Sequence, residues 1–195
     1  MNSIHRWLCG STLWRQALEQ TLLPWALDGV DLGQDVLEIG PGPGLTTDWL
    51  RQRVARLTAL EIDPRLAVSL KQRMQGTNVR VIEDDATKMP FEDRSFSAVV
   101  SMTMLHHIPS SALQDKMLAE TRRVLRPNGI FVGIDSIPSF RFRLIHIGDT
   151  MVVVDPETFG ARLRVAGFAD VTIDRRPNRF RFRAYARGGM LNTTE

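Results

Sequence analysis

Val36-Leu37-Glu38-Ile39-Gly40-Pro41-Gly42-Pro43-Gly44 decides the fold. A short apolar strand carries a carboxylate near its end and then breaks into alternating glycines. Glycine tolerates backbone conformations that other residues resist, so such a loop passes close under a small polar ligand. In open α/β sheets this is the first strand-to-helix turn, at the carboxyl edge where ligands lie. The spacing narrows the ligand. A dinucleotide fingerprint has its third glycine three residues after the second. Leu45 stands there instead, and the additional glycine is Gly44.

Glu-x-Gly-x-Gly-x-Gly after a strand resembles the first motif of the class I S-adenosylmethionine-dependent methyltransferases. The resemblance implies that the loop backbone of Gly40, Pro41, Gly42 and Gly44 lies against the methionine half of the cofactor. It places Glu38 near the ammonium group. The cofactor has no pyrophosphate to set on a helix N-terminus, but it carries an ammonium and a sulfonium.

Three further stations follow, each at the carboxyl end of an expected strand. Ala59-Leu60-Glu61-Ile62-Asp63-Pro64 puts an acid about twenty residues after the glycines, where one carboxylate can accept from both hydroxyls of a ribose. Glu61 matches the family's ribose-binding acid, with Ile62 beside it, and Asp63 reads as the cap of the next helix. Asp85-Ala86-Thr87-Lys88-Met89-Pro90-Phe91 resembles the segment whose aspartate and alanine meet the adenine. Ser101-Met102-Thr103-Met104-Leu105-His106-His107 follows the fourth strand. It resembles the Leu-His-His of quinone-biosynthesis-type and small-molecule methyltransferases, which implies that Ser101, Met102 and His107 support the sulfonium region. Base-methylating enzymes carry Asn/Asp-Pro-Pro-Tyr or a relative at this point, and none is present.

The resemblance runs from about Asp35 to Asp135, roughly half the chain, with four stations in order. It implies S-adenosylmethionine as cofactor and a small organic molecule as methyl acceptor, and the apolar character of residues 1–33 and 136–154 points to an apolar one. No catalytic base is assigned. Aligned reactants alone gain roughly 7–11 kcal/mol, and an activated methyl asks for little else. Adjacent histidines on a helix diverge, and no cysteine or acid stands at ligand spacing, so no metal is expected. A second resemblance competes. Leu37 to Thr46 and Leu60 to Leu66 are similar to the ribosomal RNA adenine dimethylases. The segment around Ser101 replaces their Asn-Leu-Pro-Tyr, and no separate C-terminal helical domain is expected, which argues against nucleic acid as partner. A non-catalytic protein that binds the cofactor and acts through partners is the remaining alternative.

Composition agrees with an ordinary globular chain: 195 residues, 43% hydrophobic, net charge +3, mean hydropathy −0.14. A single domain over residues 1–195 is expected, with an N-terminal helical segment (1–33), a cofactor-binding core (34–135), and a variable segment with a terminal strand pair (136–195). The one cysteine, Cys9, forms no intrachain disulfide and reads as a buried apolar side chain. No stretch is apolar enough to span a membrane, and Met1 to Trp7 lacks a signal-peptide core, so a cytoplasmic location is expected.

The strand and helix patterns alternate. Helices are expected over Trp14–Leu27, from Leu45 to Arg53, after Pro64, after Ser110 or Ser111, and from Asp155-Pro156 to Gly167. Strands are expected over Arg56–Ile62, Val79–Ile82, Phe96–Ser101, Ile130–Ile134, Val171–Asp174 and Phe180–Tyr185. Pro127-Asn128-Gly129 reads as a turn. This order gives an α/β fold: a doubly wound, Rossmann-like, mostly parallel sheet with helices on both faces. The family resemblance implies seven strands, the last antiparallel.

Arg175, Arg176, Arg179, Arg181, Arg183 and Arg187 form the densest positive run. From Arg179 they alternate with Phe180, Phe182, Ala184 and Ala186, so the apolar set faces the core and the arginines face water. An anionic substrate or an RNA patch is the alternative use. Acceptor identity is expected in residues 1–33, with Trp7, Trp14 and Trp25, and in Ser136–Val154. There Phe140, Phe142, Ile145, Ile147 and Met151 alternate with Arg141, Arg143 and His146, as a substrate lid or an assembly surface. Trp14 and Trp25 also read simply as packing a helix onto the sheet.

Overall fold

The structure is a computed structural model that describes residues 12–137 and 150–187. Trp7, Cys9, Phe140, Arg141, Phe142, Arg143, Ile145, His146 and Ile147 lie outside the described residues. The strands are β1 (Asp35–Ile39), β2 (Arg56–Glu61), β3 (Val79–Glu83), β4 (Phe96–Met102), β5 (Leu125–Ser136), β6 (Phe168–Arg176) and β7 (Arg179–Ala186). They form one sheet in the order β3-β2-β1-β4-β5-β7-β6. All pairs are parallel except those of β7, which runs against both neighbours. The chain builds outward from β1 to β3 and then returns to β4 beside β1. The β1–β4 junction is therefore the switch point, where the carboxyl ends of an open sheet leave a crevice.

Both faces of the sheet are covered, so the inner strands read as unbroken apolar runs. Leu37, Val99 and Phe131 point to one face, under α5 (Ser111–Val124) and α6 (Pro156–Val165). Their neighbours Val36, Val100 and Val132 point to the other, under α1 (Thr12–Ala17), α2 (Leu23–Leu27) and α3 (Leu45–Leu50). Helix α4 (Pro64–Arg73) covers the outer strands through Ala67 and Leu70. Trp14 and Trp25 pack on the α1–α3 side, as the sequence suggests.

Three sequence expectations need correction. The helix over Trp14–Leu27 is not regular: a π turn, Leu18–Leu22, separates α1 from α2. Pro24 has no N–H to give to the carbonyl of Gln20, and Leu23 N–H reaches back five residues to Leu18 O instead. Pro127-Asn128-Gly129 is an irregularity inside β5 rather than a turn before it. The pairing jumps from Phe96–Leu125 to Ala98–Ile130, and Asn128 absorbs the extra length at φ 64°. Lastly, Phe180, Phe182, Ala184 and Ala186 are buried as expected, but Arg181 and Arg183 are not simply solvent-facing. Arg181 donates to Trp25 O, and Arg183 to Ala26 O (3.2 Å) and Asp28 O (2.6 Å), satisfying carbonyls left open at the end of α2.

Sheet closeness is greatest at Gly133. A β-carbon there would stand 2.0 Å from Ser101 O and 2.7 Å from a Phe182 ring carbon. Gly133→Ala is expected to cost about 3 kcal/mol or more of unfolding free energy, because backbone and a packed ring must both yield. Gly160, inside α6, meets only Arg164 (3.4 Å) and ordinary contacts beyond. Gly160→Ala is expected to stabilise by up to about 1 kcal/mol through helix propensity. Urea unfolding of the two variants checks both signs.

Candidate functional site

The loop from β1 to α3 holds Gly40, Gly42 and Gly44 at φ 66°, 54° and 83°. Gly40 N–H donates to Leu60 O (2.9 Å) and Gly44 N–H to Pro41 O (2.9 Å). From outside, Arg73 on α4 donates to Pro43 O (2.8 Å) and Gly44 O (3.3 Å) and pairs with Asp48 (2.6 Å). A β-carbon on Gly42 would meet nothing within 4 Å. The loop is thus clamped from behind while Gly42 leaves open space in front.

Glu61 closes the loop from the β2 side. Its carboxylate accepts from Gly42 N–H and from Asp63 N–H, each at 2.9 Å. Burial pushes this carboxyl above its usual range, against the two backbone donors that favour the ionised form. Asp63 caps α4, accepting from Arg65 N–H (2.9 Å) and Leu66 N–H (3.3 Å), as its position suggests. After β3, Asp85 accepts from Thr87 N–H (2.8 Å) in a tight turn that presents Ala86.

Glu38 lies beneath the loop. It is buried and accepts a 2.6 Å hydrogen bond from the Thr47 hydroxyl on α3. Burial is the dominant influence and raises its pKa to about 8, with the Glu61 charge adding to it and the Thr47 bond opposing it.

At the end of β4, Thr103 takes φ 53° and the chain enters a 3₁₀ turn, Leu105–His107. The expected divergence of the two histidines needs correction, since this is one 3₁₀ turn and not an α-helix: their ring centroids are 4.2 Å apart. Their surroundings differ nonetheless. His107 lines the cavity. His106 is buried, with Nδ1 2.5 Å from Asp135 Oδ1, and its backbone N–H donates to Asp135 Oδ2 (3.2 Å). Asp135, at the end of β5, also accepts from Ser136 N–H (2.6 Å).

These strand ends surround one cavity of about 390 Å³, within the roughly 300–1,000 Å³ range of small-ligand pockets. Gly40, Pro41, Gly42, Glu61, Ile62, Asp85, Ala86, Met102 and His107 line it. Glu38, Gly44 and Ser101 do not. Gly44 caps α3, and Ser101 is wholly enclosed in β4 with its hydroxyl lacking a hydrogen-bond partner. Ile62 is 66% exposed, an apolar side chain standing at the cavity wall. Sequence reasoning missed Thr47 and Asp135, whereas Trp14, read both as an acceptor-segment residue and as helix packing, packs on the core and lines the cavity together with Leu18. Asp135 carried a signal, an acid closing an apolar strand. Thr47 carried none, since its role depends on the buried carboxylate opposite. Among the described residues no three His, Cys, Asp or Glu stand close enough to hold a metal ion, and no helix is long and apolar enough to cross a membrane.

Comparison with known proteins bears on this geometry. Residues 37–133 match a family model described as "Methyltransferase domain". A probable ribosomal RNA small subunit methyltransferase A of Thermococcus onnurineus is 46% identical over 70 residues, 35% of this chain and 25% of that protein. A demethylmenaquinone methyltransferase of Tropheryma whipplei is 32% identical over 122 residues, 61% of this chain and 46% of that protein. The chain thus aligns with less than half the length of these curated relatives. Among solved structures, the putative methyltransferase complexed with the Trm112 activator of Haloferax volcanii superposes with a TM-score of 0.73 at 17% identity. That match covers 96% of this chain and 99% of the other and shows a shared fold.

The buried acid gives a pH signature. A carboxyl whose folded pKa is raised binds its proton more tightly when folded. Its contribution to stability is complete below the unfolded value of 4.5 and is lost as pH rises toward 8. Unfolding free energy is expected to fall over that window by on the order of 4 kcal/mol on account of Glu38. In Glu38→Gln that part of the slope should vanish, and denaturant titrations across pH measure it.

Proposed function

Residues 37–133 of this chain belong to the methyltransferase-domain family, and on that premise we propose that the protein moves the methyl group of S-adenosylmethionine to a small organic acceptor with an apolar body. One observation carries the reading. Four stretches far apart in sequence, at the ends of β1, β2, β3 and β4, converge on the same cavity.

The residues fit the cofactor. Glu61 is held by two backbone N–H groups, and its oxygens keep acceptor capacity for the two ribose hydroxyls. Ile62 offers an apolar surface to the base, and Asp85 and Ala86 offer an acceptor and a backbone donor to its edge. Gly40, Pro41, Gly42 and Gly44 let the backbone pass close to the methionine portion. Glu38, largely protonated near neutral pH, would ionise beneath the loop to balance the ammonium. Met102 and His107, on the cavity wall, would face the sulfonium region, with Ser101 behind them within β4.

When bound, S-adenosylmethionine supplies a methyl on a positively charged sulfur, open to in-line displacement. The protein's part is alignment and exclusion of water. Trp14, Leu18, Met102, Met104, Ile108 and Leu113 give the cavity its apolar walls, which suits an acceptor of like character. The demethylmenaquinone methyltransferase similarity supports a small-molecule acceptor. A second reading, methylation of a base in RNA, is favoured by the 46% identity to the ribosomal RNA methyltransferase. Labelled methyl appearing in RNA and not in small molecules would select it.

Calorimetric titration tests the cofactor assignment, with S-adenosylmethionine and S-adenosylhomocysteine as ligands and NAD as control. Binding of the first two and not the third is expected. Glu61→Ala should weaken both by at least about 100-fold, since each hydrogen bond to a charged group contributes about 1.5–3 kcal/mol. Near-normal affinity in a folded variant would refute the ribose assignment.

A further inference from the structure

Five arginines lie along β6 and β7, and three of them have partners of their own. Arg175 pairs with Glu157, Arg181 with Asp174, and Arg183 donates to the α2 carbonyls. Arg122, from α5, holds Gly167 O and Arg187 O at 3.0 Å, fixing the far end of the same strands. Arg176 and Arg179 stand apart from this pattern. They face each other directly across the β6–β7 hairpin, joined by Pro177 and Asn178. Among the described residues neither has a carboxylate within 4.0 Å; Arg176 instead lies over the Trp25 ring at 4.2 Å.

Like charges set opposite each other on paired strands destabilise a sheet. Burial and the neighbouring Arg176 charge both push the Arg179 pKa down, so the ligand-free pair is strained electrostatically. A second groove opens at this point, about 310 Å³, with Thr21 and Leu22 of the π turn on one side and Arg176, Asn178 and Arg179 on the other.

The fold places this groove with purpose. Because β7 is reversed, its first residue, Arg179, pairs with Ser136 at the carboxyl end of β5. The hairpin tip therefore lies on the same edge of the sheet as the main cavity. The strand order sets Glu61 and Asp85 toward the β2–β3 end and the arginines toward the opposite end, with the β4 turn and His107 between. The N-terminal segment borders both spaces: Trp14 and Leu18 line the cavity, Ala17 and Leu22 the groove.

We propose that Arg176 and Arg179 bind an anionic oxygen group, phosphate or carboxylate, carried by the methyl acceptor at the end away from the reacting atom. This rests on reading the main cavity as the methyl-donor site. The planar guanidinium fork matches either anion in bidentate fashion, and the anion relieves the repulsion between the two arginines. The acceptor is then amphiphilic: an apolar body within the Trp14–Met104 walls and a charged end in the groove.

Inorganic phosphate and acetate are the probes, followed through the arginine Nε–H resonances of the full chain. Saturable shifts at Arg176 and Arg179 are expected, and the stronger probe names the anion class. Arg179→Gln, which removes no ion pair and no described hydrogen bond, should weaken binding at least about tenfold. Arg175→Gln should leave it unchanged. S-adenosylmethionine binding, measured alongside, should persist in Arg179→Gln; its absence from the unmodified protein would sink the cofactor reading while the anion result stood by itself. No saturable shift with either probe, or an equal response at Arg175, would overturn the anion site. Tighter binding of a short single-stranded RNA, lost in Arg179→Gln, would overturn it as well by assigning the arginines to a nucleic-acid backbone.

Discussion

The carboxylate of Glu61 is the join on which the site depends. It receives one N–H from the glycine loop after β1 and another from the turn after β2. Buried amides must find partners, and here a single side chain serves two loops at once. Charge-assisted bonds of this kind are short and directional, so the position of Gly42 relative to β2 is fixed before any ligand arrives. Pre-set loops lower the ordering cost of binding, which a flexible glycine-rich turn would otherwise incur.

The same device recurs along the carboxyl edge and beneath it. Asp135 holds the backbone of His106 and Ser136, tying the β4 turn to β5. Asn78 donates to the carbonyl of Val54, closing the approach to β3. Ser97 bridges to Leu32 O and Asp35 O at the start of β1. These are side-chain-to-backbone bonds in partly or wholly buried settings, where an unmade bond is costly. Exposed ion pairs such as Arg162–Asp115 add little by comparison. Strand ends are located by local hydrogen bonding, and the apolar layers supply the bulk of the cohesion.

Much of this was legible in the sequence because it is local or periodic. The runs around Val36, Val99 and Phe131 announce strands covered on both faces. Asp63, Ser110 and Asp155 cap the helices that follow them, each through its own side chain. Nine of the twelve expected cofactor-site residues line one cavity, since strand ends at one edge of a parallel sheet must converge. What the sequence concealed depends on distant partners. His106 meets an acid 29 positions later, and Arg181 reaches a carbonyl 156 positions earlier. The π turn combines a local cause, Pro24, with packing that keeps the helix continuous around it. No periodicity encodes such pairings.

The reversed strand β7 divides the carboxyl edge into two regimes of variability. After β1, β2 and β4 the chain opens into a turn and then a helix, whose length can change without disturbing the sheet. At the β6–β7 end the edge is closed by Pro177 and Asn178 alone, and Ile137 N–H donates to Asn178 O at 3.0 Å. Insertions there would pull the strands out of register. Divergence among proteins built on this scaffold can therefore remodel one side by lengthening chain, but must remodel the other by exchanging side chains in place. The two ends of the sheet are free to evolve at different rates and by different kinds of mutation.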